Sequence, residues 1–272
     1  MATFEEKTEP KFLTDTYLFV DSAKYVTHEV KSDCEAGNEG HVILNSSIFY
    51  SQGGGQPSDV GKLVIDDGDE TIEFHVTLVK ANEKAQILHH GIDQGGFFAK
   101  LTSAANDIDL SIRCLVNEEK RMIHSRLHTA GHVLDVAMTN CGFDSTRLKP
   151  TKGYHFLDDP NVMYDIVVGG SGITPVELAD LPALLTAEVR RLIEANIATI
   201  VEDMPKDEAQ TKCGDPTTDL SLYPDMVRMV SIAGAYIPCG GTHLQSTSEI
   251  GMDFQVTKCK KKKQTVKVSY KI

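Results

Sequence analysis

The sequence predicts an α+β protein whose N-terminal part is a small β-barrel. Three observations carry this. Residues 12–115 read as strands recurring about every ten residues between Gly and Asp turns. The character changes near residue 117, where a long amphipathic helix begins. The remainder alternates strand-like and helix-like stretches, without internal repeat or low-complexity linker. The expected division is therefore a β-barrel domain over 1–115, carrying a glycine-rich motif, and an α+β domain over 116–272.

In the first part, HVILNSSIFY (41–50), GKLVIDD (61–67), TIEFHVTLVK (71–80) and ANEKAQILHHG (81–91) have strand character, and SQGGGQPSDVG is the turn-rich break between the first two. The long helix follows as NEEKRMIHSRLHTAGHVLDVAMTNCG. Asn117 is placed to cap it, Glu118 and Glu119 suit its positive end, and Cys141-Gly142 stops it. KGYHFLDD (152–159) and NVMYDIVVGG (161–170) read as two strands. Thr174-Pro175 opens a second helix whose apolar face is Leu178, Leu181, Leu184, Leu185, Val189, Leu192 and Ile193. MVRMVSIAG (226–234), GMDFQVTKCK (251–260) and QTVKVSYKI (264–272) return to strand, the last two as a hairpin around a lysine tract.

Composition narrows the function classes. The chain of 272 residues is 41% hydrophobic and 24% charged, ordinary for a globular protein with a real core. No apolar run approaches the roughly 20 residues that span a bilayer. The start, MATFEEKTEPKFL, lacks the basic and apolar regions of a signal peptide, so a cytoplasmic protein is expected. The six cysteines (Cys34, Cys114, Cys141, Cys213, Cys239, Cys259) are dispersed and expected as free thiols. A net charge of −12 argues against nonspecific coating of nucleic acid, though a local patch can still recognise one structured RNA. Lys258, Lys260, Lys261, Lys262 and Lys263 form such a patch; a solvated hairpin tip is the plainer reading.

The first candidate site lies on the long helix. On a helical wheel Ile123, Leu127, Ala130, Leu134 and Ala137 fall within about 40° of one another and form the core stripe. His124, His128 and His132 form a separate row, at about 100°, 140° and 180°, pointing away from that core. Imidazoles at i and i+4 are close enough to share one metal ion. No Glu follows His128, so a metalloprotease HExxH reading fails. Asp135, on the same side, is placed either to orient an imidazole or as a surface carboxylate. Gly131 costs roughly 1 kcal/mol against Ala in a helix and leaves room beside the histidines. The second candidate is IPCGGTHLQ (237–245), where Cys239 and His243 flank a flexible Gly-Gly-Thr. Thiolate and imidazole are the ligands zinc prefers, but a buried Cys beside an unrelated His is an equal reading of this stretch alone.

HTAGH (128–132) with CGGTHL (239–244) resembles the HxxxH and CxxxH pairs of the alanyl-tRNA synthetase editing domain and of its free-standing AlaX relatives. GGGQPSDVG (53–61) resembles the glycine-rich motif of the longer AlaX proteins, and EEKRMIHSRLHTAGHVL and the closing IGMDFQVTKCKKKKQTVKVSYKI resemble further stretches of the family. The motifs stand in the family's order over roughly residues 12–272. HTAGH departs from the HTATH form by placing Gly131 where Thr is frequent. Nothing resembles a class II aminoacylation core.

The resemblance implies a barrel followed by an editing domain similar to that of threonyl- and alanyl-tRNA synthetases. It implies one zinc ion on His128, His132, Cys239 and His243, with His243 the least firm and His124 a spare or a base. The implied activity is trans-editing hydrolysis of mischarged tRNA(Ala), most of all Ser-tRNA(Ala), with Gly-tRNA(Ala) next. No membrane and no nucleotide cofactor are expected. Gln56, His132 and Cys239 would be catalytic. Gly54, Gly55 and Gln56 would meet the ester, Thr129 and Thr242 a serine hydroxyl, and the lysine tract, Arg121 and Arg126 the phosphates. Alternatives are a non-catalytic, zinc-containing tRNA-binding relative, a zinc hydrolase of small esters, and editing of another tRNA such as Ser-tRNA(Thr).

Overall fold

The computed structural model describes residues 7–34, 37–68, 70–104, 110–213 and 218–272. The expected absence of a leader and the expected free thiol of Cys34 rest on residues 1–6 and on a side chain outside those described. The other five cysteines are free thiols. No helix among the described residues is long and apolar enough to cross a membrane.

The elements in chain order are β1 (Glu9–Pro10), β2 (Val20–Cys34), β3 (Gly37–Leu44), β4 (Ser46–Ser47), β5 (Gly61–Asp67), β6 (Glu70–Ala81), β7 (Ile87–Asp93), α1 (Phe97–Ser103), β8 (Ser111–Val116), α2 (Glu118–Asn140), β9 (Leu148–Tyr154), β10 (Asn161–Ile166), α3 (Pro175–Glu194), β11 (Ile200–Pro205), α4 (Lys206–Cys213), β12 (Met226–Ile232), β13 (Ala235–Pro238), β14 (Gln255–Lys262) and β15 (Thr265–Lys271). The chain divides into two compact units, Met1–Gly53 with Pro57–Met122, and Gly54–Gln56 with Ile123–Ile272. Barrel and mixed α/β elements together make an α+β fold.

The first unit is a closed antiparallel barrel in the order β2-β3-β7-β6-β5-β8. Its strands are not all short, because β2 runs 15 residues and β6 runs 12. Bulges in β2 and β6 allow this by bending the long strands around the barrel. The expected strand over 41–50 ends earlier, at Leu44, and Ile48, Phe49 and Tyr50 continue into the core as buried irregular chain. Residues 82–86 turn instead of pairing, held by the Asn82 side-chain oxygen, which accepts from Lys84 N and Gln86 N. The short helix α1 has no counterpart in the sequence reading. Asp93 supports its start by accepting from the backbone of Phe97 and Phe98, and its two Phe rings pack on Phe74.

Two buried polar arrangements hold this unit. Arg121, fully buried, pairs with the equally buried Asp59 and donates to the carbonyls of Thr16 and Ile48. This corrects the expectation that Arg121 meets phosphate, because the guanidinium is enclosed. His89 is the second. Its Nδ1 donates to Val42 O at 3.0 Å, and Ser47 Oγ lies 2.8 Å from its Nε2. Burial pushes the His89 imidazole down to about 4. A histidine depressed from 6.5 favours the folded state while neutral, so its contribution is complete above pH 6.5. It is lost as pH falls toward 4, where the unfolded chain binds the extra proton. The full loss is on the order of 3 kcal/mol. Urea unfolding is therefore expected to show lower stability at pH 5 than at pH 7, with a smaller pH difference in His89→Gln.

In the second unit, α3 packs on the antiparallel sheet β14-β15-β10-β9, and a three-stranded sheet β11-β12-β13 carries the CGGTH segment at its end. Thr174 caps α3 in a reciprocal capping box with Glu177. Thr174-Pro175 thus opens the helix as the sequence predicts. Both faces of α2 are enclosed. Leu127, Ala130, Leu134 and Ala137 are fully buried, but so are Ser125, Thr129 and Val133, and His128 is 2% exposed. The histidine row leaves the core stripe as the wheel requires, yet His128 is enclosed by protein while His124 and His132 are half-buried.

Candidate metal centre

The helix α2 and the loop after β13 bring His128, His132, Cys239 and His243 together, with one donor atom of each lying within 4.8 Å of the others. The Nε2 atoms of His128 and His132 are 3.2 Å apart, Cys239 Sγ is 3.7 Å from His128 Nε2, and His243 Nε2 is 3.3 Å from Cys239 Sγ. Donors around a tetrahedral zinc stand about 3.3 to 3.6 Å apart, from Zn–N near 2.0 Å and Zn–S near 2.3 Å.

The hydrogen bonds behind the rings decide which nitrogen is bare. Gln56 Oε1 accepts from Thr242 N at 3.2 Å, and Gln56 Nε2 donates to Thr242 Oγ1 at 2.8 Å, which fixes the orientation of the amide. The contact of Gln56 Oε1 to His128 Nδ1, at 2.7 Å, is then donated by the imidazole, leaving Nε2 with a lone pair. Thr129 Oγ1 donates to Ser125 O at 2.8 Å, so its 3.4 Å contact with His243 Nδ1 is donated by that ring too. Asp135 Oδ2 lies 4.0 Å from His132 Nδ1, and Asp135 Oδ1 accepts from Tyr164 at 2.6 Å.

Burial and mutual repulsion hold the imidazoles neutral: His132 is lowered to about 4 by burial, and His128 and His243 fall well below 6.5. Burial raises the Cys239 thiol, opposed by Gly241 N and by the positive Arg228. Arg228 also donates to Cys239 O. Imidazole lone pairs and a sulfur converging in a buried space repel one another unless a cation joins them. The donor set therefore fits zinc.

Of the other residues singled out in the sequence, Gln56, Thr129 and Thr242 lie beside this cluster and are fully buried. Their side chains are engaged by protein, Thr242 Oγ1 also lying 2.7 Å from Ser125 Oγ. Gly55, at φ +79°, comes so close to Gly153 that a Cβ would sit 2.3 Å from its carbonyl oxygen, while Gly54 (φ +53°) is exposed with open space around it. Arg126 pairs with Asp253 and Ile250 O. Lys258 and Lys260–Lys262 stand on β14 and Lys263 in the turn after it, outside the cluster.

Residues 6–111 match the family model described as tRNA synthetases class II (A), and residues 227–267 match that of the threonyl and alanyl tRNA synthetase second additional domain. The alanine–tRNA ligase of Chlamydia muridarum is 28% identical over 233 residues, covering 85% of this chain and 24% of the relative. That of Chlamydia pneumoniae is 27% identical over 231 residues (84% and 24%), and that of Staphylococcus epidermidis 29% over 240 residues (88% and 25%). The chain is an AlaX-like relative of the alanyl-tRNA editing domain. It spans about a quarter of the length of the curated relatives it matches.

One residue of this editing-domain relative escapes any reading of the sequence. His155 stacks on His128 at 4.6 Å and 21°, and its Nδ1 donates to Tyr270 Oη at 2.8 Å, whose proton goes to Leu127 O. Its ring fills the space that Gly131 leaves open: a Cβ on Gly131 would stand 2.3 Å from His155 Cε1, and one on Gly153 2.3 Å from His155 Nε2. KGYHFLDD gives no hint of this, because Gly131 and His155, 24 residues apart in the chain, meet only on folding. Gly131→Ala gains about 1 kcal/mol in helix propensity. It nevertheless is expected to lose roughly 1–3 kcal/mol of stability overall, because the ring cannot retreat. Urea unfolding reads this, and His155→Ala in the same chain should relieve the clash, making the double variant more stable than the two losses summed.

Proposed function

We propose that this protein hydrolyses the ester of mischarged tRNA(Ala), above all Ser-tRNA(Ala), at a zinc site made by His128, His132, Cys239 and His243. The observation that carries the reading is the convergence of these four donors in a relative of the alanyl-tRNA editing domain. A physical need underlies it: a pocket sized for alanine cannot strongly reject glycine or one added hydroxyl, so a second, hydrolytic site must remove the errors.

A zinc ion there supplies a Lewis acid, able to lower the pKa of bound water to about 7 or to hold the amino acid. The chain does the positioning. Gln56 orients His128 by accepting its Nδ1 proton, and Thr129 does the same for His243. Gln56, Thr129 and Thr242 are therefore read as positioning residues, in place of the direct substrate contacts the sequence suggests. His132 and Cys239, more exposed than His128 and His243, mark the side from which the ester reaches the site.

Four protein donors also fill a tetrahedral shell, which favours a second reading in which the metal is structural and the protein binds tRNA without catalysis. A panel of Ser-tRNA(Ala), Gly-tRNA(Ala), Ala-tRNA(Ala) and Ser-tRNA(Thr), with and without a chelator, separates these. Chelator-sensitive release of serine from Ser-tRNA(Ala), with Ala-tRNA(Ala) spared, is the expected result. Zinc-loaded protein that hydrolyses none of the esters would leave the second reading.

A further inference from the structure

The lysine tract changes meaning once the register of the four-stranded sheet is known. On β15 the side chains of Val266, Val268 and Tyr270 are buried, so Thr265, Lys267 and Ser269 face outward. The partners of the outward residues share their face. Lys260 pairs with Lys267, Lys267 with Met163, and Met163 with Lys152 on the far strand β9. Lys258 pairs with Ser269, and Lys262 with Thr265. Lys261 instead pairs with buried Val266 and belongs to the opposite face. The tract therefore divides: Lys258, Lys260 and Lys262 point outward with Lys152, which the sequence places 106 residues before Lys258, while Lys261 does not.

These four outward lysines make no ion pair among the described residues, whereas Lys267 beside them is paired with Asp159 at 2.6 Å. Asp165 on this face accepts from Thr265 Oγ1 and pairs across the strands with Lys149, a further outward lysine. Lys258 approaches Lys260 closely enough to lower the latter's pKa, so like charges are crowded here without a counter-ion. Alternate residues on a strand stand about 7 Å apart and the outer strands of a four-stranded sheet about 14 Å. The face thus presents Lys152, Lys258, Lys260 and Lys262, beside Lys149 and Lys267, on a few square nanometres, on a chain of net charge −12. A local concentration of unneutralised lysines against an acidic background is complementary to a polyanion and repels other acidic protein.

We infer that the outward face of the β14-β15-β10-β9 sheet, through Lys152, Lys258, Lys260 and Lys262, docks the phosphate backbone of the tRNA. The inference rests on the proposed function for its choice of polyanion. Uncharged tRNA(Ala) transcript serves as probe, since it lacks the ester and reports docking alone. Fluorescence anisotropy over a series of salt concentrations compares wild type, Lys152→Ala/Lys258→Ala/Lys260→Ala, and a control of equal charge, Lys80→Ala/Lys84→Ala/Lys261→Ala. The outward triple is expected to reduce the slope of log K against log salt by about two to three, at roughly 0.7–0.9 for each phosphate that is no longer neutralised. The control should leave the slope unchanged to within about 0.4, half the effect of one phosphate. An unchanged slope in the outward triple, an equal reduction in the control, or no binding by wild type would overturn the inference. Wild type that binds through this face yet hydrolyses no ester would overturn the editing reading and spare the docking face. Wild type that hydrolyses Ser-tRNA(Ala) with a KM unchanged in the outward triple would do the reverse.

Discussion

Cys239→Ala is expected to abolish measurable deacylation of Ser-tRNA(Ala), a loss of at least about a hundredfold, together with most of the zinc affinity. Removing an outer partner of a metal ligand already costs roughly 10 to 100-fold. Here a proposed ligand itself goes, and with it the one donor of the set that a bound metal would hold as an anion. Three neutral imidazoles remain, too deeply buried to protonate near neutral pH, His132 being held at about 4. They can still gather a metal, but more weakly. Two measurements check this in parallel: zinc content after dialysis against a chelator, and serine release from charged tRNA. Full zinc retention with full activity in Cys239→Ala would remove this residue from the site. Full zinc retention with lost activity would make it catalytic without being a required ligand.

Asp59→Ala is expected to cost the barrel about 3–5 kcal/mol, the penalty for leaving a buried charge without its partner. Arg121 has no route to water, being fully enclosed with Asp59. Two backbone carbonyls, of Thr16 and Ile48, would be its remaining acceptors. Tyr50 N also loses its acceptor, Asp59 Oδ2, at 2.6 Å. Urea denaturation measures the loss. Arg121→Met combined with Asp59→Leu should recover much of it, because an apolar pair of similar volume avoids the desolvation penalty. A single variant as stable as wild type would mean that the guanidinium finds water after all.

Much of the fold is legible because local rules agree with the tertiary outcome. Asn117 does cap α2, its side-chain oxygen accepting from Lys120 N at 2.9 Å, and the helix ends at Asn140 beside the Cys141-Gly142 stop. The hairpin β14–β15 surrounds its lysine turn as alternation requires. α1, α4, β11 and β13 are not legible, since short segments carry too few residues for a period to emerge. The wheel separates the histidine row from the core stripe but cannot say that a loop 107 residues later covers it. That distance also hides the buried state of Gln56, Thr129 and Thr242, which read as substrate contacts as long as the partners of their side chains are out of view.

By itself the sequence determined which atoms can ligate and how they are spaced along the chain: two imidazoles one helical turn apart, and a thiol and an imidazole across a glycine turn. Only the tertiary structure decided that the four meet within 4.8 Å, which ring nitrogens stay bare, and why residue 131 has no side chain. The reason is that helical period and turn chemistry act over a few residues. Tautomers, burial and the room left by a glycine depend on neighbours that lie far off along the chain, such as Gln56 and Thr242, and arrive only on folding.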